Sequence, residues 1–269
     1  DVRLAIHPPV PFSGRETDLE AILRPPDRLH WLGTDSLGRD VAARMIHGAG
    51  ASMTVGVGAV GIAAGIGVLL GAVAGLFGGW VDSLLSRLLE VAFCFPTLFL
   101  ILALVGIPGS RGVLPIVLAI GITRWTPIAR YVRGEFLSLR ERDFVRSARA
   151  AGASDGRILL RHLVPHSLPP VIVTAAFGVA GAVLLETALS FLGFGIQPPA
   201  PSWGNVLAEA RDALGRGWWL AVWPTAAIFL TVLGFNWIGE GLRDRIDPRR
   251  GEWATDGEDR LPARGIKKE

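Results

Sequence analysis

The sequence predicts an all-α protein that crosses a membrane several times. Half of its 269 residues are apolar and 34 are glycine, and the mean hydropathy is positive, a profile far from that of a soluble domain. The apolar residues are gathered in runs of membrane length, with the charged residues between them. A net charge of +3 is too small to indicate a nucleic-acid partner, so we expect the basic residues to act as topology determinants beside a lipid membrane.

Residues 1–52 are predicted to form an arm outside the membrane. This segment is polar, contains both signs of charge and is interrupted by prolines. Its last part, residues 41–51, has the composition of an amphipathic helix, which we expect to lie at the membrane interface.

The first predicted span covers residues 55–77, within a region from 45 to 81 that contains no charged residue. That length is sufficient to cross about 30 Å of hydrocarbon. Glycines recur at every fourth position of this region: Gly67, Gly71, Gly75 and Gly79. Such a stripe of small residues favours close packing against another helix.

Four further spans are predicted in the transmembrane domain, which we place at residues 53–242. They cover residues 84–107, 112–129, 170–192 and 217–239. Pro96 is expected to break the first of these helices. The second is uncharged only as far as Thr123, so we expect it to continue to Ala129 with Arg124 reaching back to the interface.

The distribution of arginine predicts the orientation of the spans in the membrane. The loop at residues 131–169 and the segment after the last span, residues 243–269, are rich in arginine and are therefore predicted to be cytoplasmic. Counting the spans back from the loop places residues 1–52 outside. Because no export sequence precedes this arm, we expect one more N-terminal span in the intact protein, which would give six.

The cytoplasmic loop is predicted to contain two short helices. Residues 145–151 include three alanines and no glycine or proline, which favours a helix. Gly152 can adopt the left-handed conformation that ends a helix, and Ser154 is expected to cap the next one. Pro165 is then expected to prevent continuation of that helix.

This loop resembles the cytoplasmic EAA loop of permease subunits of bacterial ABC importers. The resemblance lies in residues 147–154, Ser-Ala-Arg-Ala-Ala-Gly-Ala-Ser, and 157–165, Arg-Ile-Leu-Leu-Arg-His-Leu-Val-Pro. The family pattern places Glu six residues before the Gly, where this sequence has Arg146. Three other segments resemble the dipeptide and oligopeptide branch of the family in the expected order: residues 33–40, 188–204 and 239–249.

The resemblance implies the transmembrane fold of a type I ABC importer and the function of a peptide permease subunit. Its implied partners are a homologous second permease, two ATPase subunits and an extracytoplasmic substrate-binding protein. The coupling helix of such a loop contacts the ATPase, and Arg149 and Arg157 would pair with acids there. The residues that the resemblance assigns to coupling are Ala148, Arg149, Ala150, Ala151, Gly152, Ala153, Ser154, Asp155, Arg157 and Ile158.

We expect no catalytic residues, cofactor or metal in this chain. It contains no Gly-Lys pair and hence no phosphate-binding loop, so ATP and magnesium would be bound by partner ATPase subunits. His162 and His166 lie four residues apart without a further ligand nearby. Glu186 is the clearest acid within a span, and such residues serve either in helix packing or in the transport pathway.

Two other classes of protein remain as alternatives. An ion-coupled secondary transporter would need ionisable groups at mid-membrane and internal repeats, and the spans contain one clear acid and no visible repeat. A membrane scaffold or sensor would not need a two-helix loop of this pattern. Within the permease family, the substrate could also be a nickel chelate or a glutathione-like peptide.

Overall fold

The computed structural model describes residues 10–106, 112–213 and 215–246, and within these ranges the regular structure is helical. The α-helices are α1 (Val41–Phe77), α2 (Gly79–Cys94), α3 (Thr97–Val105), α4 (Val113–Thr123), α5 (Thr126–Leu139), α6 (Asp143–Ala150), α7 (Asp155–Ile158), α8 (Val164–Phe191), α9 (Trp203–Glu209) and α10 (Trp219–Ile246). The predicted tail at residues 243–269 lies outside the described residues except for its first four, which belong to α10.

Helix α1 is the central element of the bundle. It begins at Asp40, whose carboxylate accepts a hydrogen bond from the Ala43 N–H at 2.7 Å, and it ends at Gly78 with φ of 65°. At 1.5 Å per residue its 37 residues extend about 55 Å. It packs against α4, α5 and α8. The predicted interfacial helix and the first span are therefore one helix, because no proline interrupts residues 41–77, and the expected boundary after residue 52 falls inside it.

The glycine stripe of α1 allows α5 to approach closely. A Cβ atom on Gly67 would lie 2.7 Å from the Cβ of Ile128, and one on Gly71 would lie 2.5 Å from the carbonyl oxygen of Ala129. Gly75 faces Phe136 in the same way. Gly79 does not belong to this contact, because it lies beyond the end of α1 and begins α2.

Two predicted spans are bent. Helices α2 and α3 meet at 84° around Pro96, as its position predicts, and α4 and α5 meet at 40°. Three helices are long and apolar enough to cross a membrane, and there are up to five such spans in the described residues if each bent pair is one span. Arg124 lies at the α4–α5 bend beside Gly181 of α8. Arg124 is half-buried there and packs against α8, and its expected reach to the membrane interface stays a prediction.

Helix α8 begins earlier than predicted. A π-helical turn, Leu159–Leu163, joins α7 to α8, and its wider hydrogen bond runs from the Val164 N–H to the Leu159 carbonyl oxygen. Pro165 therefore lies in the first turn of α8, where its missing N–H costs little, and the prediction that it stops the helix is wrong.

The bundle has two distinct ends. Residues of the arm contact α9 and the start of α10, and we call this side the arm end. The last turns of α1, the end of α5 and the segment from α6 to the π-helical turn pack together at the opposite side, which we call the loop end. Because α1 runs from one to the other, the two ends lie about 55 Å apart.

Candidate functional site

The loop between α5 and α8 is attached to the bundle by three side chains. Val145 of α6, Ile158 of α7 and Leu163 of the π-helical turn are all fully buried. They pack with Leu76 of α1 and Phe136 of α5 in one apolar cluster. Burying an aliphatic side chain stabilises a fold by about 1.5–3 kcal/mol, so the loop is a packed unit of the protein.

The turn between α6 and α7 has the conformation that Gly152 predicts. Gly152 adopts φ of 81°, a left-handed conformation that favours glycine. The Ala153 N–H donates to the Ala148 carbonyl oxygen, and the Gly152 N–H donates to that of Arg149, both at 3.0 Å. These two bonds are those of a Schellman motif. Ser154 precedes α7 as predicted, although its side chain makes no capping hydrogen bond.

Most of the residues assigned to coupling lie at the surface of the single chain. Ile158 is the clear exception, since it is fully buried and holds α7 to the bundle. Ala148 and Ala153 are half-buried. The exposed members are Arg149, Ala150, Ala151, Gly152, Ser154, Asp155 and Arg157. The loop therefore presents a surface of small side chains, flanked by charged ones.

Arginines of the loop form ion pairs with acidic residues of the same loop. Arg149 Nη2 lies 3.3 Å from Asp155 Oδ1, so the two helices are bridged across Gly152. Arg146 donates to Glu141 at 3.0 Å, and this hydrogen bond holds the pKa of the Glu141 carboxyl below its ordinary value. These pairs are exposed, and exposed pairs of this kind contribute little to stability.

Sequence reasoning missed two features of the loop. The ring of Phe144 stacks on His166 with centroids 5.2 Å apart, so α6 is held against the first turn of α8. Leu160 is 71% exposed, which leaves a large apolar side chain at the surface beside α7. No pattern in the sequence indicates this exposure, because Leu160 precedes buried Leu163 by three residues, a spacing that places two residues on one face of a regular α-helix.

Glu186 lies fully buried near the arm end of α8. Its Oε1 accepts hydrogen bonds from Ser190 Oγ at 2.7 Å and from Ser202 Oγ at 2.9 Å. Ser202 is also the N-cap of α9, where it forms a reciprocal pair of hydrogen bonds with Asn205. Glu186 thus connects α8 to the segment that begins α9, a geometry that favours its packing role.

A buried charge cluster joins the arm to the bundle. Arg39 Nη2 and Arg44 Nη2 donate to Glu209 Oε1 of α9 at 2.9 and 2.8 Å. Both arginines also pair with Asp35, which is completely buried. The sequence gives no direct indication of this cluster, because Glu209 lies 165 residues or more from its partners.

Arg124 lines two adjoining cavities in the middle of the bundle. One, of about 210 Å³, lies between α1, the α4–α5 bend and α8, and its other lining residues are mostly apolar, including Ala59, Phe177 and Gly178. The second, of about 280 Å³, extends from Arg124 towards Phe93 and Thr97 of the other bent pair. Open space therefore adjoins a half-buried cationic side chain of the bundle.

Comparisons with known proteins agree with this architecture. A family model described as the inner membrane component of binding-protein-dependent transport systems matches residues 67–252. The dipeptide transport system permease protein DppC of Alkalihalophilus pseudofirmus is 40% identical over 250 residues, which cover 92% of this chain and 82% of that protein. The glutathione transport system permease protein GsiD of Escherichia coli O6:K15:H31 is 44% identical over 232 residues, covering 86% and 76%.

A solved structure confirms the predicted fold class. The inward-facing MetNI methionine ABC transporter matches with a TM-score of 0.61 over 76% of this chain and 96% of that chain. The identity is 16%, so the likeness concerns the fold, that of a type I ABC importer membrane domain. The family match over residues 67–252 decides against an ion-coupled secondary transporter. This chain belongs to the family of inner membrane permease components of binding-protein-dependent transport systems.

Proposed function

We propose that this chain forms one half of the translocation pathway of an ATP-driven peptide importer. The observation that carries the proposal is its similarity over most of its length to permeases named for dipeptide and glutathione transport. Both kinds of substrate are short peptides with free carboxylates. The working complex would contain a homologous second permease, two ATPase subunits and an extracytoplasmic substrate-binding protein.

The loop between α5 and α8 is the proposed contact with an ATPase subunit. Its exposed small residues, Ala150 and Ala151 beside Gly152, would allow a close approach, and the exposed Arg157 would pair with an acid of the partner. Val145, Ile158 and Leu163 attach the same loop to α1 and α5. A displacement of the loop would therefore be passed to the spans through packed side chains.

ATP and magnesium belong to the ATPase partners in this proposal, and this chain acts without cofactor or catalytic group. Closure of the ATPase pair on ATP would move the loop, and the bundle would change between inward-open and outward-open states. The energy of transport would thus enter at the loop end, while the substrate enters at the arm end.

The proposed orientation follows from charge and from the length of α1. The loop end contains exposed arginines at positions 142, 146, 149, 157 and 161, which favours the cytoplasm. The arm lies about 55 Å away along α1 and would face the extracytoplasmic binding protein.

Uptake by the reconstituted complex tests the proposal. Proteoliposomes that contain both permeases and both ATPase subunits are supplied with the binding protein and radiolabelled dialanine or glutathione. We expect accumulation that requires internal ATP and survives collapse of the proton and sodium gradients. Accumulation that follows an ion gradient and ignores ATP would refute the proposal. A preference for glutathione over dialanine, which the similarity to GsiD favours as a second candidate, would narrow the substrate.

A further inference from the structure

We propose that Arg124 is a mid-membrane anion site that binds the carboxylate of the substrate during its passage. The inference deepens the proposed peptide import and rests on it for the identity of the ligand. Its structural basis is the position of Arg124, the absence of a partner for it in the described chain, and the open space around it.

Arg124 lies level with the midpoints of helices α1 and α8. Ala59 is the central residue of the 37-residue helix α1, and Phe177 and Gly178 are the central residues of α8. All three line the same cavity as Arg124. Arg124 itself follows eleven residues of α4 and precedes the fourteen of α5, so it lies near the middle of the bent span as well.

The guanidinium of Arg124 makes no hydrogen bond or ion pair with any residue in the part of the chain that the structure describes. Glu186, the acid buried in α8, is hydrogen-bonded to Ser190 and Ser202 instead. Insertion of an arginine at the centre of a bilayer costs about 2.5–3.5 kcal/mol, and such residues commonly line substrate pathways. An unpaired cation in this position would therefore be stabilised by an anion from outside the chain.

The local structure makes room for this cation. Gly181 of α8 lies against the guanidinium, where a Cβ atom would be 2.9 Å from Nη1. The cavity of about 210 Å³ is smaller than the 300–1,000 Å³ of typical small-molecule sites. It is large enough for the terminal group of a peptide, and the rest of the site would be formed by the second permease.

A peptide carboxylate fits this environment. Arginine binds carboxylates through two parallel hydrogen bonds, which a low-dielectric surrounding strengthens. The other residues that line the cavity are mostly apolar and include the hydroxyl of Thr174, so no second charged side chain in this lining competes with the carboxylate. Dipeptides and glutathione share a free carboxylate, and one site at Arg124 would serve both.

The first experiment measures the attraction of anions directly. Cys94, the only cysteine of the chain, is replaced by alanine, and Thr174→Cys is introduced in the wall of the cavity. The complex is then treated with an anionic sulfonate-bearing or a cationic trimethylammonium-bearing methanethiosulfonate. We expect Arg124→Gln to lower the ratio of anionic to cationic reaction rates about tenfold, and Arg124→Lys to preserve it.

The second experiment measures uptake of dialanine at saturating loaded binding protein. We expect Arg124→Gln to lower the rate about tenfold, with Arg124→Lys retaining most of it and Arg87→Gln, at an exposed arginine of α2, serving as the matched control. Because the binding protein is unchanged in all variants, the loss would arise in the membrane step.

Three outcomes would overturn the inference. An unchanged reagent ratio in Arg124→Gln would mean that Arg124 does not attract anions into the cavity. A lowered ratio with normal dialanine uptake would assign the site to another anion, such as a lipid phosphate. Loss of the second permease from the purified Arg124→Gln complex would mean that Arg124 pairs with an acid at the interface.

Wild-type complexes that do not take up dialanine would refute the proposed function, while the reagent ratio would still test anion attraction.

Discussion

Glu186 illustrates how one buried carboxylate can hold two segments together. Its Oε1 receives the hydroxyl hydrogen bonds of Ser190, one turn further along α8, and of Ser202, the N-cap of α9. One carboxylate oxygen can accept hydrogen bonds from both hydroxyls, so the two donors are satisfied without a cation nearby. This arrangement lies at the arm end and outside the cavity that contains Arg124.

We predict that Glu186→Gln assembles and transports like the wild type, because the amide oxygen can accept the same two hydrogen bonds. Glu186→Ala should lower the free energy of unfolding by about 1–3 kcal/mol, since it leaves buried hydroxyls without an acceptor. Thermal unfolding of the purified complex and dialanine uptake measure the two effects. A well-assembled Glu186→Gln complex without uptake would instead assign Glu186 to the pathway.

At the scale of single elements, close packing of α1 on α5 depends on glycine. We predict that Gly71→Ala destabilises the protein by about 1–3 kcal/mol, because the new methyl would press on the backbone of Ala129. Gly65→Ala is the matched control in the same helix, since its Cβ atom meets nothing within 4 Å. Unfolding in detergent, followed by tryptophan fluorescence, compares the two. Equal stability of both variants would contradict the packing argument.

The loop between α5 and α8 offers a second pair of variants at this scale. Ile158→Ala should cost about 2–5 kcal/mol of local stability, because it empties a buried position in the cluster that attaches the loop. Leu160→Ala, at a side chain that is 71% exposed, should change stability by less than about 0.5 kcal/mol. The rate of trypsin cleavage at the loop arginines reports the difference. Faster cleavage of Leu160→Ala than of Ile158→Ala would show that the loop is attached by its other face.

Local chemistry made several of these elements predictable from the sequence. The four-residue spacing of glycines on α1, the break at Pro96 and the left-handed turn at Gly152 each depend on residues close together in the chain. The effect of Pro165 was not predictable in this way, because the π-helical turn before it accommodates a proline that would end a regular helix.

Contacts between segments that lie far apart in the chain could not be predicted from the sequence. The pairs between Arg44 and Glu209 and between Phe144 and His166 depend on how helices are placed in space. The contact of Arg124 with Gly181 of α8 likewise depends on how these helices are placed. Family resemblance supplied what local patterns could not, namely the type I ABC importer fold and the expectation that the loop contacts an ATPase.

At the scale of the whole molecule, the arm end and the loop end are held apart by α1. The arm is fixed by the cluster of Asp35, Arg39, Arg44 and Glu209, so a docking protein that moves the arm would also act on α1 and α9. The loop at the other end is fixed to α1 through Leu76. One rigid helix thus contacts both proposed docking surfaces.

We predict opposite accessibility for the two ends in intact cells. In a Cys94→Ala background, an impermeant maleimide should label Ser36→Cys in the arm once the outer membrane is permeable, and it should label Ser147→Cys in the loop only after the inner membrane is opened. Both positions are exposed in the chain, so burial would not confuse the comparison. The reverse labelling pattern would show that the topology is opposite to the one proposed.

We propose that the loop from α6 to α7 transmits the action of an ATPase, and ATPase stimulation in the reconstituted complex tests this directly. Loaded binding protein should stimulate hydrolysis in the wild type and in Ser138→Glu, a charge added at an exposed position of α5 outside the proposed contact. Ala151→Glu, which adds the same charge at an exposed residue of the contact, should assemble the two permeases and abolish stimulation. Undiminished stimulation in Ala151→Glu, with the variant confirmed in the complex, would contradict the account.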